Sequence, residues 1–241
     1  MRLQRLTLLR PRLGEFPNSD ALPPLSLAIL AARTPNGVDI RLYDERIEEI
    51  PEKDTPDLVA ITVETFTARR AYALAGQYRE RGIPVVMGGF HPSFLPGEAL
   101  QHANAVVIGD AEGSWEKLVK DFNQGRLLPI YGGGNDRPLD DFVIDRSIFQ
   151  DKPYPALELV QLSRGCRFCC DFCSIRSFYQ GSLRTRPIAN LLQELRGLDR
   201  KKLLVFVDDN LFMSRFTLDA LLRAMKPLGF RWACQISMDV A

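Results

Sequence analysis

The chain has 241 residues, 46% hydrophobic and 25% charged, with a net charge of +1. Those are globular proportions, and near-neutrality gives no general pull toward nucleic acid or an anionic membrane. No apolar run reaches the ~18 residues a membrane span needs, and no signal peptide stands out. Five cysteines in this length are too sparse for a disulfide framework, so a reducing, cytoplasmic compartment is expected. The length suits one large domain or two ordinary ones.

Residues 1–125 alternate strand and helix signals. Arg5 to Leu9 is the first expected strand. Pro23 and Pro24 then open a helix through Ala31, which Pro35-Asn36-Gly37 ends. Val38 to Tyr43 alternates apolar and polar as a half-buried strand does. Leu58 to Val63 is β-rich throughout, the pattern of a strand buried on both faces. Thr67 is placed to cap a helix with Ala71, Leu74, Ala75 and Tyr78 on one face and Gly82 just past its end. Strands follow at Ile83 to Met87 and Ala105 to Ile108, and Trp115, Leu118, Val119 and Phe122 share one helical face.

Such alternation predicts an α/β fold with a flavodoxin- or Rossmann-like parallel sheet. Ligands of these sheets bind at the carboxyl ends of the strands. The segments there are Glu64-Thr-Phe-Thr67, Gly88-Gly89-Phe-His91-Pro92 and Gly109-Asp-Ala-Glu112-Gly113. Their glycines permit close backbone approach to a ligand, or are simply tight turns. His102 reads as a surface residue near a helix end. Residues 126–155 read as a connector, with turn signals at Gly132-Gly-Gly-Asn-Asp136. Asp140 and Asp141 read there as a solvated pair of carboxylates.

In the second half, a strand over Leu157 to Leu162 runs into Ser163-Arg-Gly-Cys166-Arg-Phe-Cys169-Cys170-Asp-Phe172-Cys173-Ser174. A loop over Ser177 to Pro187 holds Arg184 and Arg186, expected as solvated arginines. Ile188, Leu191, Leu192, Leu195 and Leu198 then repeat at helical spacing. Leu203 to Val207 is a continuous apolar run, predicted as a strand buried on both faces. A helix uses Leu218, Leu221, Leu222 and Met225 and ends at Gly229. The last strand, Arg231 to Val240, should turn Trp232, Cys234, Ile236, Met238 and Val240 to a core. Gln235, Ser237 and Asp239 should face the other way.

Cys166-x-x-x-Cys170-x-x-Cys173 offers three thiolates from one loop. A four-iron four-sulfur cluster normally takes four, so three leave one iron open to a substrate or cofactor. Structural zinc is the first competing reading, but zinc wants two spaced ligand pairs, and no histidine is near. A ferredoxin-type carrier is the second, but it lacks its later Cys-Pro here. Asp208-Asp209-Asn210 follows the next strand and reads either as a cofactor contact or as a cap on the following segment.

The cysteine spacing, with aromatic Phe172 before the third cysteine, resembles the radical S-adenosylmethionine superfamily. That resemblance implies a 4Fe-4S cluster on Cys166, Cys170 and Cys173, with Cys169 a spectator. It also implies S-adenosylmethionine bound at the open iron and reductively cleaved to a 5′-deoxyadenosyl radical. Asp208, Asp209 and Asn210 would meet its amino group with oxygen acceptors, and Phe172, Gln235 and Ser237 would lie in the cofactor or substrate pocket. The second half would be the first three β/α units of a partial TIM-type barrel, whose active sites lie at the carboxyl ends of the strands.

Gly88-Gly-Phe-His-Pro-Ser93 and Gly109-Asp-Ala-Glu-Gly113 resemble the cobalamin-binding domain that precedes the radical domain in one large subgroup. Gly88, Gly89, His91, Gly109 and Glu112 are the cofactor-binding candidates this implies. The Asp-x-His-x-x-Gly motif of many such domains is absent: residues 10–20 contain no histidine. The resemblance divides the chain into a cobalamin-binding-like domain at 1–125, a connector at 126–155 and half a radical domain at 156–241, as in a C-terminally truncated relative. It implies radical-based methylation of a small-molecule substrate. It also implies an electron donor such as flavodoxin or ferredoxin, and a further chain supplying the other half of the barrel. The competing class is a catalytically incomplete cofactor-binding fragment or partner subunit. Methylthiotransferases are disfavoured, because residues 1–165 contain no cysteine.

Overall fold

The computed structural model describes residues 2–14, 21–132, 138–140, 142–211 and 214–238. The chain separates into two compact units, Met1–Gly134 with Val143–Tyr154, and Asn135–Phe142 with Pro155–Ala241.

The first unit contains, in chain order, β1 (Arg5–Arg10), α1 (Leu25–Arg33), β2 (Asp39–Asp44), β3 (Leu58–Thr62), α2 (Ala68–Glu80), β4 (Val85–Gly88), α3 (Phe90–Phe94), α4 (Pro96–His102), β5 (Ala105–Ile108), α5 (Trp115–Asn123) and β6 (Ile130–Gly132). Its strands form one parallel sheet in the order β2-β1-β3-β4-β5-β6. The connections reverse direction between β1 and β3, which makes that edge the switch point where such sheets bind ligands.

Successive side chains of a strand point to opposite faces, and both faces are used here. Leu6, Leu8, Leu58, Ala60, Val86 and Val107 pack with Leu27 of α1 and Trp115, Leu118 and Phe122 of α5. Leu9, Val59, Ile61, Val85 and Met87 pack with Ala71, Leu74 and Tyr78 of α2 and Ala99 of α4. Every residue of β3 is therefore buried, as its unbroken apolar run predicts.

Two details differ from the sequence reading. Thr67 does not cap α2 with its side chain. Its hydroxyl turns back to Glu64, donating to the carbonyl and accepting the backbone N–H, both at 3.1 Å. The second difference is β6, which pairs with β5 although its residues fall in the predicted connector. Three residues are too few for a period-2 pattern to emerge, and only Tyr131 of the three is buried. Gly133 to Asp136 and Asp141 lie outside the described residues; Asp140 is exposed, as expected.

The second unit contains β7 (Leu157–Val160), β8 (Ser163–Arg164), α6 (Ser174–Phe178), β9 (Arg184–Thr185), α7 (Ile188–Arg196), β10 (Leu203–Phe206), α8 (Arg215–Met225) and β11 (Trp232–Cys234). β7, β10 and β11 form a parallel three-stranded sheet with β10 central. β8 and β9 form a separate antiparallel pair. The core combines Val160, Leu204 and Phe206 of the sheet with Leu191 and Leu195 of α7 and Leu221 and Met225 of α8. Gly229 has φ 70°, the left-handed conformation that ends a helix at little cost for glycine.

β10 is not buried on both faces as predicted. Leu204 and Phe206 are buried, whereas Val205 is half-buried and Leu203 exposed. β11 stops at Cys234, short of the predicted span. Trp232, Ile236 and Met238 are exposed rather than in the core, Met238 by 91%. Cys234 is half-buried against the core, and Trp232, though exposed, sets its ring edge-to-face with core residue Phe206 at 5.9 Å. Asp239 and Val240 lie outside the described residues. Among the described residues, no helix is long and apolar enough to cross a membrane.

Candidate functional site

The cysteine loop leaves β7 through β8, so it begins at the carboxyl end of a parallel strand. Gly165 makes this exit possible. Its φ is 90°, and a Cβ there would collide with the Ser182 carbonyl oxygen beside β9. Only glycine combines that backbone conformation with that approach. The sequence marked this loop for its cysteines, and the glycine in front of them gave no separate signal.

The loop is fastened from below by three consecutive residues after β10. Asp208 is 2% exposed. One of its carboxylate oxygens accepts the Ser163 N–H at 2.5 Å and the Ser163 hydroxyl at 2.6 Å. The other accepts the Leu162 N–H at 3.0 Å. Asp209 accepts the Gly165 N–H at 2.9 Å. Asn210 places its amide nitrogen 3.8 Å from Cys166 Sγ. Burial pushes the Asp208 carboxyl up from 3.8 to about 6, and the hydrogen bonds from Ser163 and Leu162 oppose that rise.

This corrects the cap reading for Asp208: its oxygens receive three donors from the preceding strand and loop rather than from the following segment. The sequence offered Asp-Asp-Asn as a cluster of acceptors, and pattern alone does not reveal which donors they would meet. Ser163 is the partner that the sequence reading missed.

Cys166 and Cys173 are half-buried, Cys169 and Cys170 are exposed, and all are free thiols. Within the loop the Cys173 N–H donates to the Cys170 carbonyl at 3.1 Å. Among the described residues, no three His, Cys, Asp or Glu side chains are gathered as a formed metal centre. The donor set nonetheless fits an iron–sulfur group, with three free cysteines on one short loop whose base is pinned. Phe172 is 92% exposed. Gln235 is exposed, and Ser237, half-buried, is engaged with Asn210 at 3.2 Å. Cys234 is half-buried against the core, and burial followed by the Asp208 charge pushes its thiol up. A thiol kept protonated is a poor metal ligand.

Arg186 is not solvated as predicted. It is buried, pairs with Glu194 at 2.5 Å and lies over the Phe142 ring. Arg184 lies over the Tyr179 ring.

In the first unit the candidate residues gather at the carboxyl ends of β3, β4 and β5. Gly89 has φ 106°, and a Cβ there would stand 2.8 Å from the Val63 carbonyl oxygen. Gly88 has ordinary room for a side chain. Gly109 has φ 74° and donates its N–H to Ser93 Oγ at 2.9 Å, while Ser93 Oγ donates to the Gly89 carbonyl at 2.7 Å. Ser93 thus ties the two glycine loops together. Glu112 is half-buried in a single helical turn. At the switch point, Arg10 ending β1 pairs with Glu64 after β3 at 3.3 Å. Leu13 and Phe66, on the loops leaving those strands, are largely exposed.

His91 does not open toward a ligand. It is 5% exposed, and its Nε2 lies 2.9 Å from the Tyr72 hydroxyl. That hydroxyl also approaches Glu98 at 3.1 Å, and the Tyr72 ring stacks on His102 at 4.0 Å between centroids. Burial and then Glu98 push the Tyr72 phenol up to about 12. His91 and His102 therefore belong to a polar cluster joining α2, α3 and α4. His102 is half-buried, not the surface residue its position near a helix end suggested.

Residues 20–119 match the B12 binding domain family. Over 229 residues the chain is 33% identical to bacteriochlorophyllide d C-12(1)-methyltransferase of Chlorobaculum tepidum, covering 90% of this chain and 50% of that protein. It is 29% identical over 240 residues to bacteriochlorophyllide d C-8(2)-methyltransferase of the same organism, covering 92% and 53%. It is 25% identical over 246 residues to hopanoid C-2 methylase of Rhodopseudomonas palustris, covering 91% and 44%. The chain thus spans about half the length of the curated relatives it matches.

Proposed function

We propose that the chain belongs to the family of cobalamin-dependent radical S-adenosylmethionine methyltransferases, and that it is the cofactor-bearing part of a methyltransferase acting on a carbon of a small molecule; the B12 binding domain match and the likeness to methyltransferases support this reading. The observation that carries this reading is the coexistence of a B12 binding domain and a braced three-cysteine loop at the carboxyl end of a parallel strand. Bound here, a 4Fe-4S cluster would supply an electron to S-adenosylmethionine, and cobalamin would supply a methyl carrier.

The chain's own residues have separable tasks. Cys166, Cys170 and Cys173 would hold the cluster through three thiolates, leaving one coordination position for S-adenosylmethionine. Gly165 lets the loop pass beside Ser182, and Asp208 and Asp209 hold its base in place. Phe172, Gln235 and Ser237 would border the S-adenosylmethionine. The glycine loops at Gly88, Gly89 and Gly109, with Glu112, would receive cobalamin beside exposed Leu13 and Phe66. No imidazole from residues 10–20 is available to ligate cobalt, and His91 is engaged by Tyr72. The relatives named above methylate carbon positions of bacteriochlorophyllide d or of hopanoids, which supports a largely apolar substrate. The remaining barrel units would come from a partner chain, and the electron from a flavodoxin- or ferredoxin-type donor.

The test is anaerobic reconstitution with iron and sulfide, followed by reduction in the presence of S-adenosylmethionine. The reading predicts about four irons per chain, formation of 5′-deoxyadenosine, and loss of both on Cys170→Ala. Iron uptake without 5′-deoxyadenosine would favour the second reading, a cofactor-binding part that is catalytically incomplete alone.

A further inference from the structure

Asn210 stands next to the two aspartates that brace the loop, but its NH2 group faces a sulfur as well as Ser237. The side chain is 5% exposed. Its Oδ1 accepts the Ser237 backbone N–H at 3.3 Å. A backbone N–H can only donate, so that contact identifies the oxygen of the amide and puts the NH2 group on the other side. The NH2 donates to Ser237 Oγ at 3.2 Å and also faces Cys166 Sγ at 3.8 Å. Gly165, immediately before Cys166, is itself held by Asp209 at 2.9 Å. Sulfur and amide are thus fixed from both sides.

From this geometry we infer that Asn210 is a tuning residue for the Cys166 ligand, donating an N–H···S hydrogen bond that stabilises negative charge on that sulfur. The inference rests on the cluster reading above. A neutral thiol is a weak acceptor, whereas hydrogen bonds to ionised acceptors are roughly twice as strong as neutral ones. Hydrogen bonds to cluster sulfurs are among the levers that set reduction potential, and such outer partners also orient the ligand. The sign follows from charge. Reduction adds an electron and increases the negative charge on the sulfurs, so a donor favours the reduced state and raises the midpoint potential. Asn210 acts through Cys166 and touches no reacting atom.

The test compares the unaltered chain, Asn210→Ala and Asn210→Asp after anaerobic reconstitution with iron and sulfide. Asn210→Asp keeps the size and the oxygen that receives the Ser237 N–H, but replaces the donor with an anionic acceptor. Midpoint potentials should become more negative in Asn210→Ala and more negative still in Asn210→Asp. The Fe–S(Cys) stretch in the resonance Raman spectrum should move to higher frequency in Asn210→Ala, because the bond to Cys166 is no longer weakened by the donor. Either variant that keeps its iron gives the answer. Unchanged potentials and vibrations would overturn the role of Asn210 and leave the cluster reading standing. An unaltered chain that takes up no iron would overturn the cluster reading, and this inference with it.

Discussion

The two sheets of this chain solve the same problem differently. In the six-stranded sheet, α1 and α5 cover one face and α2 and α4 the other, so consecutive residues of β3 are all buried. In the three-stranded sheet, the core lies on one side of β10, and Leu203 and Trp232 remain exposed. The candidate sites differ in parallel. The glycine loops of the first unit are joined by one neutral hydroxyl, Ser93. The cysteine loop of the second is held by two carboxylates and a side-chain amide. The cysteine loop is largely exposed and buries little apolar surface, so polar fastening substitutes for packing there.

The largest expected effect comes from breaking that fastening at its tightest point. Gly165→Val sets a side chain against the Ser182 carbonyl and forces φ 90° on a β-branched residue. It should cost roughly 4 kcal/mol locally and abolish iron uptake. Hydrogen exchange should accelerate in β8 and β9 and stay unchanged in the six-stranded sheet. Leu8→Ala is the converse. Leu8 is fully buried between helices and sheet, and its truncation should cost about 3 kcal/mol. Exchange should then accelerate in the six-stranded sheet while iron content per chain is retained.

Asp208 offers a prediction that only the second unit should obey. Its carboxyl is raised from 3.8 to about 6. The folded state therefore binds more protons than the unfolded state across that window, and stability falls as pH rises from about 4 to about 6. Denaturant midpoints followed by exchange in β7 and β8 should show this slope, and Asp208→Asn should flatten it. At about pH 4, where the native carboxyl is protonated in the folded state, Asp208→Asn should also lower stability by about 2 kcal/mol, because an amide NH2 then faces backbone donors, and the deficit should shrink as pH rises. Persistence of the full slope in Asp208→Asn would show that another group carries it.

The smallest effect is expected at Tyr72. Tyr72→Phe removes the hydroxyl shared by His91 and Glu98. It should cost about 1 kcal/mol, loosening exchange in α3 and α4 without altering iron uptake.

The first unit was the more legible in sequence because burial on both faces writes unbroken apolar runs and regular helix faces. β3, β5 and the buried face of α5 appear where the pattern puts them. β6 was missed because three residues carry no period. β11 was overextended because alternation in Trp232 to Val240 looks the same whether or not a neighbouring layer covers it. At the site, cysteine spacing was legible because chemistry fixes it. The roles of Asp208 and His91 were not, because a polar residue's letter says what it can accept or donate and not which partner the fold brings. Asp208 met Ser163 and His91 met Tyr72 through contacts 45 and 19 residues apart.

The central claim is that Cys166, Cys170 and Cys173 hold a cluster with one iron left open. The most direct measurement is the EPR spectrum of the reconstituted, reduced chain with and without S-adenosylmethionine. The account predicts a four-iron signal whose g-values shift when S-adenosylmethionine is added. A chain that copurifies with one zinc and builds no cluster, or a cluster signal indifferent to S-adenosylmethionine, would contradict it.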